Sequence, residues 1–179
     1  MTVTAERCAS VRLHTANADE TESAGAALAA VLAAGTVVGL AGPLGAGKTC
    51  FVRGMAARLG VDPTLIASPT FVYLVDYPGD GLVLHHADLY RLAEVPDDAA
   101  EAAYEGIGLP AAFAAGGIAV VEWWDSYRGP RPASLVRVEF LIENAEHRQL
   151  TVVFEGSRAS DRAAAFSAKL AAAGLTKHG

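Results

Sequence analysis

Apolar positions along the 179-residue chain change their period several times, and each change marks an element. Residues 10–15 alternate, with Val11 and Leu13 set against Arg12 and His14, which predicts a short strand at a sheet edge. Asn17 or Asp19 can cap a helix over residues 20–34 that turns Leu28, Val31 and Leu32 toward the core. Residues 36–41 are almost continuously apolar, the signature of a strand buried on both faces, and a helix follows from Lys48 to Leu59, closed by Gly60. Ser68-Pro69-Thr70 ends a loop, after which residues 71–77 read as a strand. Pro78-Gly79-Asp80-Gly81 signals a turn, so residues 82–87 return as the second arm of a hairpin.

Residues 96–104 and 109–115 predict two short helices separated by Gly106 and Gly108, and the apolar run 117–121 suits a central parallel strand. Residues 135–142 and 149–154 pair as a C-terminal antiparallel ribbon, and Ser160 caps a last helix with Phe166 and Leu170 one turn apart. This order predicts an α/β fold of three layers, with a mainly parallel central sheet and antiparallel strands at its margins, as one domain over residues 1–179.

Composition narrows the function classes. No apolar run reaches the roughly 18 residues that span a bilayer, and the first residues lack a basic stretch followed by an apolar core, so a cytoplasmic protein without a membrane partner is expected. Cys8 and Cys50 form neither a CxxC pair nor a metal site. With 14 basic and 20 acidic residues the formal net charge is −6, which argues against a basic nucleic-acid surface. Any RNA would be held by another protein.

The chemistry centres on Gly42-Pro43-Leu44-Gly45-Ala46-Gly47-Lys48-Thr49, which fits G-x-x-x-x-G-K-[ST] between a strand and a helix. Glycines let backbone N–H groups turn inward around phosphates, Lys48 reaches the β and γ oxygens, and the Thr49 hydroxyl can bind Mg²⁺. The expected fold is therefore P-loop NTPase-like. Cys50 directly follows the loop and reads as a thiol buried beside it. Glu122 ends the strand 117–121, where a second metal-directed acid is needed; a solvated strand-end carboxylate is the plainer alternative. Asp88 ends another strand and is equally explained as a helix cap, and Thr70 as a turn residue or a hydroxyl facing a γ-phosphate. His85 and His86 point to opposite faces of a strand and cannot share a zinc ion. Asp76-Tyr77-Pro78-Gly79 matches the D-x-x-G of GTPases, but no Asn-Lys-x-Asp is present to read guanine.

Taken together, Gly42 to Thr49, Phe51-Val52-Arg53-Gly54, Ser68-Pro69-Thr70-Phe71, Asp88-Leu89-Tyr90-Arg91-Leu92 and Glu122-Trp123 resemble the TsaE (YjeE) family of bacterial P-loop ATPases, over about residues 21–148. The resemblance implies a part in making N6-threonylcarbamoyladenosine at position 37 of tRNA. In that family the protein binds and slowly hydrolyses ATP while docked on TsaB and TsaD, and tRNA is met only through those partners. By position, residues Gly42 to Cys50 would cradle ATP, Lys48 would hold the β/γ-phosphates, and Thr49 with Glu122 would hold Mg²⁺. Thr70 and Asp88 would line the γ-phosphate side, with Asp88 positioning water, and Trp123 would sit beside the nucleotide. Arg148 matches a nucleotide-contacting Arg of a C-terminal hairpin, and the residues around Asp19 match a segment near the adenine.

Four departures stand out. Pro43 replaces the usual loop Asp, Trp124 a Pro, His86-Ala87 an aromatic-rich approach to Asp88, and Glu146-His147 the Gly before the hairpin Arg. They bear on hydrolysis and on Arg148 more than on nucleotide binding. A small-molecule kinase, with Arg128 and Arg131 as a candidate lid, and a nucleotide-binding module without hydrolysis are the competing readings. Trp124, if exposed, is the first candidate for a partner contact.

Overall fold

The computed structural model describes residues 8–175 and 177–178. Residues 1–7, on which part of the reading against a secretion leader falls, lie outside them. Strand β1 (Cys8–Thr15) leads into helix α1 (Ala18–Ala29), then β2 (Val37–Ala41) and α2 (Lys48–Arg58). The hairpin β3 (Leu74–Pro78) and β4 (Val83–Asp88) precedes α3 (Asp97–Gly106), α4 (Leu109–Ala114) and β5 (Ile118–Glu122). The chain closes with β6 (Leu135–Ile142), β7 (Arg148–Glu155), α5 (Ala159–Ala172) and β8 (Lys177–His178). Among the described residues these strands form one sheet in the order β3-β4-β5-β2-β6-β7-β1-β8.

The four central strands, β4, β5, β2 and β6, run parallel, and every pairing outside them is antiparallel. Val38, Leu40, Leu84, Val120, Val136 and Val138 turn to one face, where they pack with α1, α2 and α5; Val37, Ala87, Ala119 and Val121 turn to the other, against α3 and α4. That is the three-layer α/β arrangement the apolar pattern predicts. Parity of two along each strand then decides the site. Asp88 and Glu122 share the face of Leu84 and Val120, so both strand-end carboxylates emerge on the α2 side.

Helices α1 and α2 approach closely because glycines meet at their contact. A Cβ on Gly25 would lie 2.1 Å from the Phe51 carbonyl oxygen, and one on Gly54 would lie 1.8 Å from that of Glu22. This draws the start of α1 up to the P-loop helix.

The structure decides between the two candidate caps of α1 and departs from the sequence reading at several local points. Asn17, not Asp19, caps α1: its side chain accepts from Glu20 N at 2.9 Å, while Glu20 Oε2 accepts from Ala16 N at 2.8 Å. The helix ends at Ala29 rather than residue 34, although Val31 and Leu32 still pack on the core. Strand β3 starts at Leu74 rather than residue 71. Val72 N and Tyr73 N both donate to the Pro69 carbonyl, and Tyr73 takes a left-handed φ of 66°, so residues 71–73 form a turn. Ser160 lies inside α5 instead of capping it, and β1 is not an edge because β8 pairs with Arg12 and Leu13.

Candidate functional site

The loop between β2 and α2 is shaped by backbone that only glycine adopts without strain. Gly42 has φ 141°, and a Cβ there would sit 2.7 Å from the Phe140 carbonyl oxygen; Gly47, at the α2 N-cap, has φ 97°. The loop curls over the N-terminus of α2, whose unsatisfied N–H groups make it an anion site.

Beneath the loop, Lys48 is buried. Its Nζ donates to the carbonyls of Gly42 (2.7 Å) and Pro43 (2.9 Å) and lies 3.9 Å from the Trp123 ring centre. Burial pushes its pKa down, against the attraction of Glu122, Asp125 and Asp88. Trp123 reaches this position through a left-handed backbone, φ 60°, and its ring packs 4.9 Å from that of Tyr90.

Two carboxylates face the loop. Thr49 Oγ1 donates to Glu122 Oε1 at 2.8 Å, and His86 Nε2 lies 2.9 Å from the same oxygen. Asp88 Oδ2 accepts from Thr70 Oγ1 at 2.9 Å and closely from Ser68 Oγ, while Oδ1 accepts from Tyr90 N at 2.8 Å. The left-handed turn at Tyr73 brings Thr70 here, because Asp88 N donates to the Tyr73 carbonyl at 3.0 Å. A cavity of about 410 Å³ runs from Leu44–Cys50 across to Ser68, Thr70, Asp88, Tyr90, Glu122 and Trp123.

A second cavity of about 350 Å³ adjoins it through Gly47 and Cys50, and Asn17, Thr21, Glu146 and Arg148 line its far side. Arg148 Nη2 donates to the Gly45 carbonyl at 3.2 Å and Nη1 to that of Asn144 at 2.9 Å, tying the β6–β7 hairpin to the tip of the loop. Burial beside Glu22 raises the Cys50 thiol to about 11.

The structure thus gathers Leu44–Cys50, Thr70, Asp88, Glu122 and Trp123 around one cavity and Arg148 at its extension. Gly42 and Pro43 stand behind the wall, turning their carbonyls to Lys48. Near the N-terminus Asn17, Ala18 and Thr21 line the second cavity, and Asp19 does not. Sequence reasoning assigned no role to Ser68, Tyr90 or His86. The last was legible in principle, since it lies two positions before Asp88 and so on the same strand face.

Other expectations are redirected. Trp124 is no exposed docking residue: it stacks on Tyr127 at 4.4 Å, and its ring fills the space a Cβ on Gly39 would need. His85 and His86 do point apart, bonding to Asp76 and Glu122 respectively. Asp76 sits in mid-strand and Gly79 at the end of the hairpin remote from the P-loop, so this D-x-x-G does not reach the cavity. Arg128 binds Asp97 and Arg131 binds Glu155, and neither lines the cavity as a lid.

Comparison with known proteins gives a consistent result. The family model described as "Threonylcarbamoyl adenosine biosynthesis protein TsaE" matches residues 15–150. A protein of Treponema pallidum named tRNA threonylcarbamoyladenosine biosynthesis protein TsaE is 36% identical over 136 residues, covering 76% of this chain and 95% of that one. A Bacillus subtilis protein of the same name is 30% identical over 148 residues, covering 83% and 88%. The crystal structure of Bacillus subtilis YdiB matches with a TM-score of 0.67 and 25% identity, over 92% of this chain and 98% of that one.

Proposed function

Because this chain belongs to the TsaE family of threonylcarbamoyl adenosine biosynthesis proteins, we propose that it binds Mg²⁺-ATP and hydrolyses it slowly while docked on a TsaB–TsaD-like complex. That turnover supports formation of N6-threonylcarbamoyladenosine at tRNA position 37. The observation that carries the reading is the convergence of Lys48, Thr49, Glu122 and Asp88 on one cavity at the N-terminus of α2.

The donor set suits the implied ion. A hydroxyl and a carboxylate oxygen are the hard ligands Mg²⁺ takes, and Thr49 and Glu122 offer them 2.8 Å apart. When bound, the ion neutralises charge on the β and γ oxygens. The protein does the rest. Backbone N–H groups of the loop cradle the phosphates, and Lys48 exchanges two carbonyls for phosphate oxygens. A buried ammonium that lacks bulk water gains strongly from such an anion. Asp88, oriented by Ser68, Thr70 and Tyr90 N, holds the attacking water. The water's oxygen bonds to the γ-phosphorus as the bond from that phosphorus to the β–γ bridging oxygen breaks; the bridging oxygen leaves with ADP, and the proton the water gives up passes to Asp88 and then to the released phosphate. Arg148 and the second cavity receive the nucleoside side.

The net charge of −6 suits a protein that meets tRNA through partners and works in the cytoplasm. Among the described residues no helix is long and apolar enough to cross a membrane. The test is depletion of the protein followed by mass spectrometry of threonylcarbamoyladenosine in tRNA. A fall in the modification is expected, and an unchanged level overturns the role. Direct titration of the purified protein with ATP tests the nucleotide reading separately.

A further inference from the structure

His86 is wholly buried, and its environment is polar on one side only. Nε2 lies 2.9 Å from Glu122 Oε1, while Nδ1 is buried without a hydrogen-bond partner among the described residues. An ionised carboxylate only accepts, and Thr49 already donates to the same oxygen, so the arrangement requires Nε2–H as donor. Leaving a buried ring nitrogen unpaired costs free energy that an apolar side chain at this position would avoid. The cost is offset only if the bond to Glu122 does something.

We infer that His86 is a positioning residue that fixes the rotamer of Glu122, and so sets the affinity of the site for a divalent cation. The inference rests on the Mg²⁺-ATP reading above. Glu122 sits at the end of β5, beside the left-handed Trp123, where the backbone leaves the sheet. Among the described residues its carboxylate side chain has two hydrogen-bond partners, both on Oε1 and from different elements: Thr49 on α2 and His86 on β4. Thr49 alone cannot hold it, because that hydroxyl is itself half of the proposed ion site. His86 is wholly buried and does not line the cavity, so an incoming ligand does not compete for its place. Metal-ligating groups oriented in this way typically lose about 10–100-fold in metal affinity when the partner is removed.

The test compares His86→Leu, which removes the donor, with His86→Gln, whose amide can place an N–H near the position of Nε2. Binding of a fluorescent ATP analogue is titrated with and without Mg²⁺. In His86→Leu the Mg²⁺ concentration for half-effect should rise at least about tenfold, with affinity in EDTA changed less than about threefold. His86→Gln should stay within about threefold of the parent. Equal Mg²⁺ dependence in parent and His86→Leu overturns the positioning role while leaving the nucleotide reading intact. A parent protein that binds the analogue with no response to Mg²⁺ overturns both. If His86→Leu fails to fold, ¹⁵N shifts of the His86 ring in the parent decide: they should move when Mg²⁺ is added to the ADP complex, and unmoved shifts overturn the inference.

Discussion

The Thr49 hydroxyl donates to Glu122 Oε1 at 2.8 Å, across 73 positions of sequence. Parallel pairing of β2 with β5 makes this contact: Leu40 lies opposite Glu122, and the P-loop that follows β2 swings Thr49 back over the strand end. Hydroxyl and carboxylate therefore meet before any ion arrives. Glu122→Ala should keep ATP binding and lose Mg²⁺-dependent hydrolysis by about 100-fold, the loss typical of removing one electrostatic stabiliser. Phosphate release measured with and without Mg²⁺ checks it. Undiminished Mg²⁺-dependent turnover would remove Glu122 as the metal acid.

Lys48 makes a different demand. Its amine is buried among two carbonyls and a Trp face, with carboxylates nearby, and burial already lowers its pKa. Lys48→Ala should cost at least about 100-fold in ATP affinity, since a charge-assisted bond to phosphate is lost in a site shielded from water. Isothermal titration reads the affinity, and circular dichroism shows whether the fold persists. Affinity within tenfold of the parent contradicts the assignment.

Pro43 separates binding from turnover. Its carbonyl accepts from Lys48 Nζ and from Ala46 N, interactions any residue could supply, while its exposed side chain offers no acid. Pro43→Asp puts a carboxylate on the loop where the resembled family carries Asp. It should leave ATP affinity within about threefold and raise hydrolysis at least about tenfold, at the low end of general acid–base effects. Steady-state ATPase assays decide, and turnover equal to the parent's means that Pro43 is not what limits hydrolysis.

Much of this site was legible in the chain because it obeys local rules. Gly42 to Thr49 is contiguous, and Glu122 and Asp88 each follow an apolar run, so strand ends and parity could be read directly. What escaped depends on register between distant strands. His86 reaches Glu122 only because Asp88 pairs opposite it across β4 and β5. The second cavity is built from Asn17, Cys50 and Arg148, three segments whose meeting no periodicity encodes. The seat of Trp124, offered as a partner contact only if exposed, escapes for a related reason: it is the bare backbone of Gly39 on β2, and every element from α2 to β5 lies between them in the chain.

Cys50 supplies a pH signature. Burial and Glu22 raise its pKa from 9.0 to about 11, so the native thiol keeps a proton that the unfolded chain releases. Between these values the native state binds more protons, and stability must fall as pH rises from about 9 to about 11. In a Cys8→Ser background Cys50 is the sole cysteine of the chain. Its alkylation by iodoacetamide should climb with a midpoint near 11 in the native protein and near 9 in urea. Equal midpoints in the two states would contradict the burial argument.

The closest helix contact yields a prediction whose sign has to be worked out from two opposing magnitudes. In a free helix Gly54→Ala stabilises, by about 1 kcal/mol of propensity. Here the added Cβ would lie 1.8 Å from the Glu22 carbonyl oxygen, and that neighbour is backbone with no rotamer to turn aside. Helices α1 and α2 must separate, at about 1–3 kcal/mol for overpacking plus whatever the core loses. The clash outweighs the propensity gain, so Gly54→Ala should destabilise the protein and lower its urea midpoint. Because α1 and its cap bring Thr21 and Asn17 to the second cavity, the same shift should weaken ATP binding while Lys48 and Glu122 are untouched. A raised midpoint would mean that the helices part more easily than their packing implies.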